Sequence, residues 1–93
     1  MKLHVKFSIN DLTVDEPIKG DDAADVTRKA KLAIADRLGF LAGPFVRSMS
    51  DLAFAREVVR RHNSATGANC PPPAGVEEFI DWAVEQKLAL IIE

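Results

Sequence analysis

The sequence contains a single cysteine, Cys70, and one thiol cannot form an intrachain disulfide. We therefore expect the hydrophobic core alone to stabilise the fold. No stretch reaches the roughly 18 consecutive apolar residues that indicate a membrane-spanning helix, so no membrane segment is predicted. The residues after Met1 alternate between polar and apolar, unlike the apolar block of a signal peptide. A cytoplasmic location is therefore expected.

The sequence also lacks the motifs that hold metals, cofactors or phosphate groups. His4, His62 and Cys70 show neither CxxC nor HxxxH spacing, which argues against a metal site. Gly20 stands alone among acidic residues, so there is no glycine-rich loop to hold a phosphate. We predict neither a metal nor a cofactor.

What the chain does contain is typical of one globular domain. Its 93 residues are 47% hydrophobic and 28% charged, far from the composition of a disordered segment. The length suits a single domain over residues 1–93. A chain of this size buries only about 60–65% of the surface that its unfolded form exposes, so we expect modest stability.

The net charge of −2 hides an uneven distribution along the chain. Residues 1–22 carry −2, residues 23–66 carry +4 and residues 67–93 carry −4. Such a pattern either neutralises itself within the fold or presents complementary patches to a partner. We expect the first outcome.

Periodicity predicts a strand at each end of the chain, with helices between them. Leu3, Val5, Phe7 and Ile9 alternate with polar residues, which is typical of a half-buried strand, and residues 88–92 form a short β-favouring apolar run. The three predicted amphipathic helices cover residues 22 to 38 or 41, 50 to 64 or 65, and 75 or 76 to 87. Gly39 is the expected stop of the first helix, and the second is expected to be capped by Ser50 and ended by Gly67.

The predicted fold class is α+β, in the order β-α-α-α-β, with three helices on one face of a small sheet. A third short strand near Leu12–Val14 is left open. The terminal strands either pair with each other and with that third strand, or an exposed edge pairs across a twofold axis in a homodimer, giving a four-stranded sheet. We expect a homodimer, because a small sheet with open edges is barely stable alone.

Basic residues on the second helix raise the question of nucleic-acid binding. Projection at 100° per residue places Arg56, Arg60 and Asn63 on one edge of this helix. Arg61 projects to the other edge with Glu57, so the arginines do not form one patch. We expect them to complement the helix dipole and cover apolar surface. Phosphate binding through Arg56, Arg60 and neighbouring lysines is the alternative.

Two charged residues of the first helix are placed by the same projection. Arg37 falls inside the apolar arc, and we expect it to form an ion pair with a carboxylate. Lys31 falls outside that arc.

His62 and Cys70 are the residues that raise the question of catalysis most directly. His62 projects into the apolar arc of the second helix, where a packing role is the expectation. Cys70 lies beside three prolines and far from a helix N-terminus that could lower its pKa. An enzyme would require both side chains to meet in a concave pocket, and we predict a non-catalytic protein.

The acids of the third helix form a more regular pattern. Glu77, Glu78, Asp81 and Glu85 fall within one sector opposite the predicted buried face, as expected of a solvated side that could dock a partner. The sequence therefore predicts a small protein–protein interaction or accessory module. The alternative is a nucleic-acid-associated regulator. The candidate partner-binding residues are Arg56, Arg60, Glu78, Asp81 and Glu85.

Overall fold

The fold is a three-stranded antiparallel sheet covered on one face by helices. The computed structural model describes residues 1–9 and 12–92, without the side chains of Phe7, Ile9, Leu12, Phe40 and Leu41. Its elements are β1 (Lys2–Ile9), β2 (Leu12–Lys19), α1 (Ala23–Arg47), α2 (Asp51–Thr66), α3 (Val76–Glu85) and β3 (Ala89–Ile91). The strand order is β2-β1-β3. The predicted α+β class is confirmed.

The terminal strands pair with each other as one of the two predicted arrangements required. Leu3 lies opposite Ile91, and Val5 lies opposite Ala89. The third strand is much longer than the expected Leu12–Val14, because β2 has eight residues, all paired with β1. The predicted inward side chains of Phe7 and Ile9 and the turn at 10–11 lie outside the described residues.

Pro17 lies within β2, and the register of this strand shows why a proline is tolerated there. Met1 and Gly20 exchange two backbone hydrogen bonds of 2.9 Å, so every second pair from there is hydrogen-bonded. Pro17 pairs with His4, three positions along, and its nitrogen therefore points away from β1. A proline is tolerated at such an outward position of an edge strand because no ladder bond is lost.

The first helix is longer than predicted and is broken where a stop was expected. Gly39 has φ 81° and ψ −171°, and it divides α1 into two helical segments. A straight helix would place Ala35 and Gly43 about 12 Å apart. A Cβ on Gly43 would instead lie 2.7 Å from the Ala35 carbonyl oxygen, so the second segment bends back on the first.

The other two helices begin where the sequence predicts, at Asp51 after the Ser50 cap and at Val76. The Ser50 side chain accepts a 3.1 Å hydrogen bond from the Ala53 N–H at the start of α2, and Gly67 ends this helix with φ 75°. The third helix ends at Glu85 rather than 87, and Lys87 turns the chain into β3 with φ 64°.

The core lies between the sheet and the helices. Leu3, Val14 and Ile18 point from the strands toward Val26, Phe54, Ala55, Val59, Phe79, Ile80 and Ala83 of the helices, and all ten are buried. Lys31 is also buried, which corrects its expected place outside the apolar arc. Its Nζ donates a 2.9 Å hydrogen bond to the Met49 carbonyl and lies 3.1 Å from Asp51 Oδ1. No helix of the described residues is long and apolar enough to cross a membrane.

Gly39 provides a test of the break in α1. Gly39→Ala should lower the free energy of unfolding by about 1–3 kcal/mol, because essentially only glycine adopts this backbone conformation. No described atom lies within 4 Å of the added Cβ, so the loss reports the backbone alone. Urea denaturation measures it. D-alanine, introduced by chemical synthesis, favours positive φ and should retain stability, whereas an equal loss with both residues would contradict the break.

Asp25, near the start of α1, makes the fold sensitive to acid. Its carboxylate accepts a 3.0 Å hydrogen bond from the Asp21 N–H and also contacts Arg28 and Lys29, and these interactions lower the pKa of Asp25 from 3.8 to about 2. A carboxylate with a lowered folded pKa stabilises the fold above its unfolded pKa. That contribution is lost as the pH falls through the folded pKa.

We therefore expect the free energy of unfolding to decline from about pH 4 to about pH 2, and Asp25→Asn to flatten this decline. Urea denaturation at intervals across this range is the measurement. Asp21→Asn is the control, because Asp21 contributes its backbone N–H and not its side chain to this contact. Parallel declines in the wild type and Asp25→Asn would show that the assignment is wrong.

Candidate functional site

A groove runs between α3 and the proline-rich connector that precedes it. Its volume is about 300 Å³. We call it the α3 groove, and its lining residues are Cys70, Pro71, Pro73, Glu78, Asp81, Trp82, Glu85 and Gln86. A second cavity of about 40 Å³ lies in the core and is lined by apolar and aromatic side chains. That cavity offers no polar group to orient a ligand, so the α3 groove is the candidate site.

The connector is held in place by two side chains of α2. Arg56 Nε donates a 3.0 Å hydrogen bond to the Pro73 carbonyl. Asn63 Nδ2 donates to the Cys70 carbonyl at 2.9 Å, and Asn63 Oδ1 accepts from the Cys70 N–H at 3.1 Å. Arg56 and Asn63 are seven residues apart, so they share one face of α2 as the projection predicted.

These hydrogen bonds supply donors that the proline-rich connector itself lacks. A proline has no N–H, so this stretch cannot satisfy its carbonyls by forming a regular ladder of its own. Donors must come from water or from another element, and α2 supplies them to the Cys70 and Pro73 carbonyls. Arg56 therefore lies behind the connector, where it supports the wall of the groove.

Three of the predicted partner-binding residues line the groove together. Glu78, Asp81 and Glu85 follow the same face of α3, whereas Glu77 is not among the lining residues. Glu78 Oε2 accepts a 2.9 Å hydrogen bond from the Ala74 N–H at the start of the helix. In the described part of the chain, no lysine or arginine lies within ion-pair distance of these three carboxylates.

The carboxylates are spread along the groove rather than focused on one point. No group of three His, Cys, Asp or Glu side chains among the described residues is arranged to hold a metal ion. Such a row suits an elongated cationic partner better than a single small ion.

Trp82 forms the aromatic part of the groove and is the partner of His62. The two rings are 5.2 Å apart and nearly perpendicular, at 89°. Phe79 stacks against Trp82, with ring centroids 6.0 Å apart. His62 is half-buried and does not line the groove, whereas Cys70 does. The contact between His62 and Trp82 agrees with the packing role expected of His62.

Arg60 lies apart from the groove. Its Nε donates a 2.6 Å hydrogen bond to Glu57 Oε1, and Arg61 Nε lies 3.5 Å from the same oxygen. The projection was therefore wrong to assign Glu57 to the edge of Arg61 alone. Long side chains three and four residues apart on a helix can reach a common partner.

The remaining basic residues of the central segment are also paired. The expected partner of Arg37 is Glu16, at 3.0 Å. Every lysine and arginine of residues 23–66 except Arg56 contacts a carboxylate: Arg28, Lys29, Lys31, Arg37, Arg47, Arg60 and Arg61. These seven cations share five carboxylates, of which only Glu16 comes from outside the segment, so the central segment keeps a net positive charge. The expected neutralisation within the fold is therefore only partial, and in the described part of the chain the acids of the α3 groove have no such contact.

The sequence pattern identified the acids but not the groove. Asn63, Trp82 and the connector were not among the candidate residues. The available signal was the triple proline itself, because its carbonyls require donors from elsewhere, and an asparagine two turns after an arginine could supply them.

Asn63→Ala tests whether α2 holds the connector. It should lower the free energy of unfolding by about 1–3 kcal/mol, because two hydrogen bonds are lost and partly buried groups of Cys70 are left unpaired. Urea denaturation gives the stability, and hydrogen exchange at the Cys70 amide should accelerate. Ser64→Ala is the control at the adjacent, exposed position. Unchanged exchange at Cys70 in Asn63→Ala would argue against the clamp.

Comparisons with known proteins give no relative from which a role could be transferred. No protein-family model matches the chain, and no curated protein or solved structure shows significant similarity to it.

Proposed function

We propose that the chain is a small non-catalytic interaction module whose α3 groove binds a basic segment of a protein partner. The observation that carries this proposal is the set of three carboxylates, Glu78, Asp81 and Glu85, which line one groove without a cation from the described residues. Every carboxylate of the central segment, in contrast, is ion-paired.

The lining of the groove suits lysine and arginine side chains. Their charged ends form charge-assisted hydrogen bonds with carboxylates, and their aliphatic stems pack on apolar surface. Pro71 and Pro73 supply such surface, and Trp82 adds an aromatic ring that attracts cations. The groove therefore offers both kinds of contact.

The dimensions favour an extended peptide. Glu78 and Glu85 are seven residues apart, which corresponds to about 10 Å along a helix. An extended chain presents side chains of one face about 7 Å apart, so two basic residues separated by one other fit within this length. A groove of about 300 Å³ is at the small end of binding pockets, and it accommodates one or two side chains.

The alternative, a nucleic-acid-associated regulator, has less support. Its key residue Arg60 is engaged with Glu57, and Arg56 with the Pro73 carbonyl. A phosphate would have to compete with these contacts, and the acids of α3 would repel it. If nucleic acid were the partner, heparin retention would fall steeply with salt and would be weakened by Arg60→Ala.

Trp82 is the only tryptophan, so its fluorescence reports directly on the groove. Titration with the peptide amide Gly-Arg-Gly-Arg-Gly should change the Trp82 emission in a saturable way, and salt should weaken the binding. The double variant Asp81→Asn with Glu85→Gln should weaken it about tenfold, because two ion pairs are lost.

Glu77→Gln is the control, because it removes one carboxylate charge from the same helix at a position outside the groove. It should leave the affinity within about twofold of the wild type. An equal loss in this control would show a general charge effect and contradict binding in the groove. The peptide Gly-Glu-Gly-Glu-Gly should not bind.

A further inference from the structure

The two edges of the sheet are protected to different degrees. Exposed strand edges usually carry charged residues or proline, which hinder pairing with another chain. The edge strand β2 carries Pro17 with its nitrogen turned outward and the exposed Asp15 and Lys19. The opposite edge strand, β3, contains neither a charge nor a proline.

The side chains at the β3 edge are also unusually apolar for an exposed site. Leu90 is 63% exposed, Ile91 is 52% exposed and the adjoining Ile92 is 42% exposed. Leu90 shares the open face of the sheet with His4, whereas Ile91 lies on the helix side opposite Leu3. Apolar surface thus continues around both sides of this edge.

The backbone of β3 has groups available for pairing. The Lys6 N–H donates to the Leu88 carbonyl at 2.8 Å, and the Ile92 N–H donates to the Lys2 carbonyl at 3.1 Å. Every second residue of β3 is therefore directed at β1. The N–H and C=O groups of Ala89 and Ile91 point the other way, toward the free edge.

We infer that β3 pairs antiparallel with β3 of a second copy, about a twofold axis at Leu90. This register overlaps the whole strand and places Ala89 of each copy opposite Ile91 of the other. The outward groups of both residues then form four hydrogen bonds between the copies. The two three-stranded sheets then form a single six-stranded sheet. The sequence predicted a four-stranded sheet in the dimer, because it assigned two strands to each chain.

In this register the side chains of β3 in one copy fit those of β3 in the other. Ala89 has a small side chain, so the large, exposed Ile91 of the second copy meets no bulky side chain directly opposite it. The two Leu90 side chains meet on the open face, where directly opposite residues of a non-hydrogen-bonded pair come closest. Neither strand brings a like charge to the axis.

The contact is small, and this sets its strength. Three partly exposed side chains per copy bury far less than the roughly 800 Å² per partner of a standard interface. We therefore expect a dimer that dissociates in the micromolar range or above, populated only at high protein concentration.

Sedimentation equilibrium from 10 µM to 1 mM should show a reversible monomer–dimer equilibrium for the full chain, a range bracketing weak association. Ile91→Lys should raise the dissociation constant about tenfold or more. Leu32→Lys, at an exposed apolar position on α1, should leave it unchanged. If lysine at 91 impairs folding, Ile91→Pro removes both the outward N–H and the isoleucine side chain without adding a charge, and it tests the same contact.

Cysteine cross-linking tests the register, in a Cys70→Ser background. Leu90→Cys should form a disulfide across the axis, because its two Cα atoms would lie about 4.5 Å apart. Ile92→Cys should not, because its two copies would be more than about 10 Å apart.

A monomer at every concentration, or a dimer whose dissociation constant is unaffected by Ile91→Lys, would overturn the inference. The Trp82 titration with Ile91→Lys should be unchanged, so the groove and the edge are tested separately.

Discussion

The triple proline lacks the backbone donors that a regular element would use, and the placement of the last third of the chain depends on how α2 compensates. Arg56 and Asn63, two helical turns apart, bond to the carbonyls of Pro73 and Cys70. This contact fixes the connector, and the connector fixes where α3 begins. Lys87 then turns the chain directly from α3 into β3, which pairs with β1. Both surfaces proposed to bind partners therefore follow this contact in the chain.

The fold could be predicted where local chemistry decided it. Caps such as Ser50 and Gly67 and the spacing of apolar residues act within a few positions, and α2 begins and ends as they indicate. The strand β2 could not be recognised in the same way, because Asp15, Glu16 and Pro17 are poor strand formers. Pairing with β1 overrides that preference, and the proline is tolerated only because its nitrogen faces outward. That orientation follows from the register of the hairpin, which no local pattern specifies.

The candidate site, like the fold, could be predicted from the sequence only in part. The acidic face of α3 is a helical periodicity and could be predicted from spacing alone. The groove needs a second wall, and the connector reaches its place only through hydrogen bonds with a helix that ends several residues earlier. Arg60 was also assigned to the wrong edge, because residues three apart on a helix lie only about 60° apart around its axis, and Arg60 bonds to Glu57. Local patterns therefore identified the acids but not their surroundings.

The charge distribution and the two sheet edges both distinguish residues 76–92 from the rest of the chain. The basic residues of the central segment are paired with carboxylates or hold the connector, and the β2 edge is blunted by a proline and charges. The unpaired acids and the unprotected apolar edge both lie within residues 76–92. Their chemistry differs, since Coulomb attraction is screened by salt whereas apolar burial and backbone pairing are not. We therefore propose two associations of different salt dependence for this C-terminal segment: a salt-dependent one along α3 and a salt-tolerant one along β3.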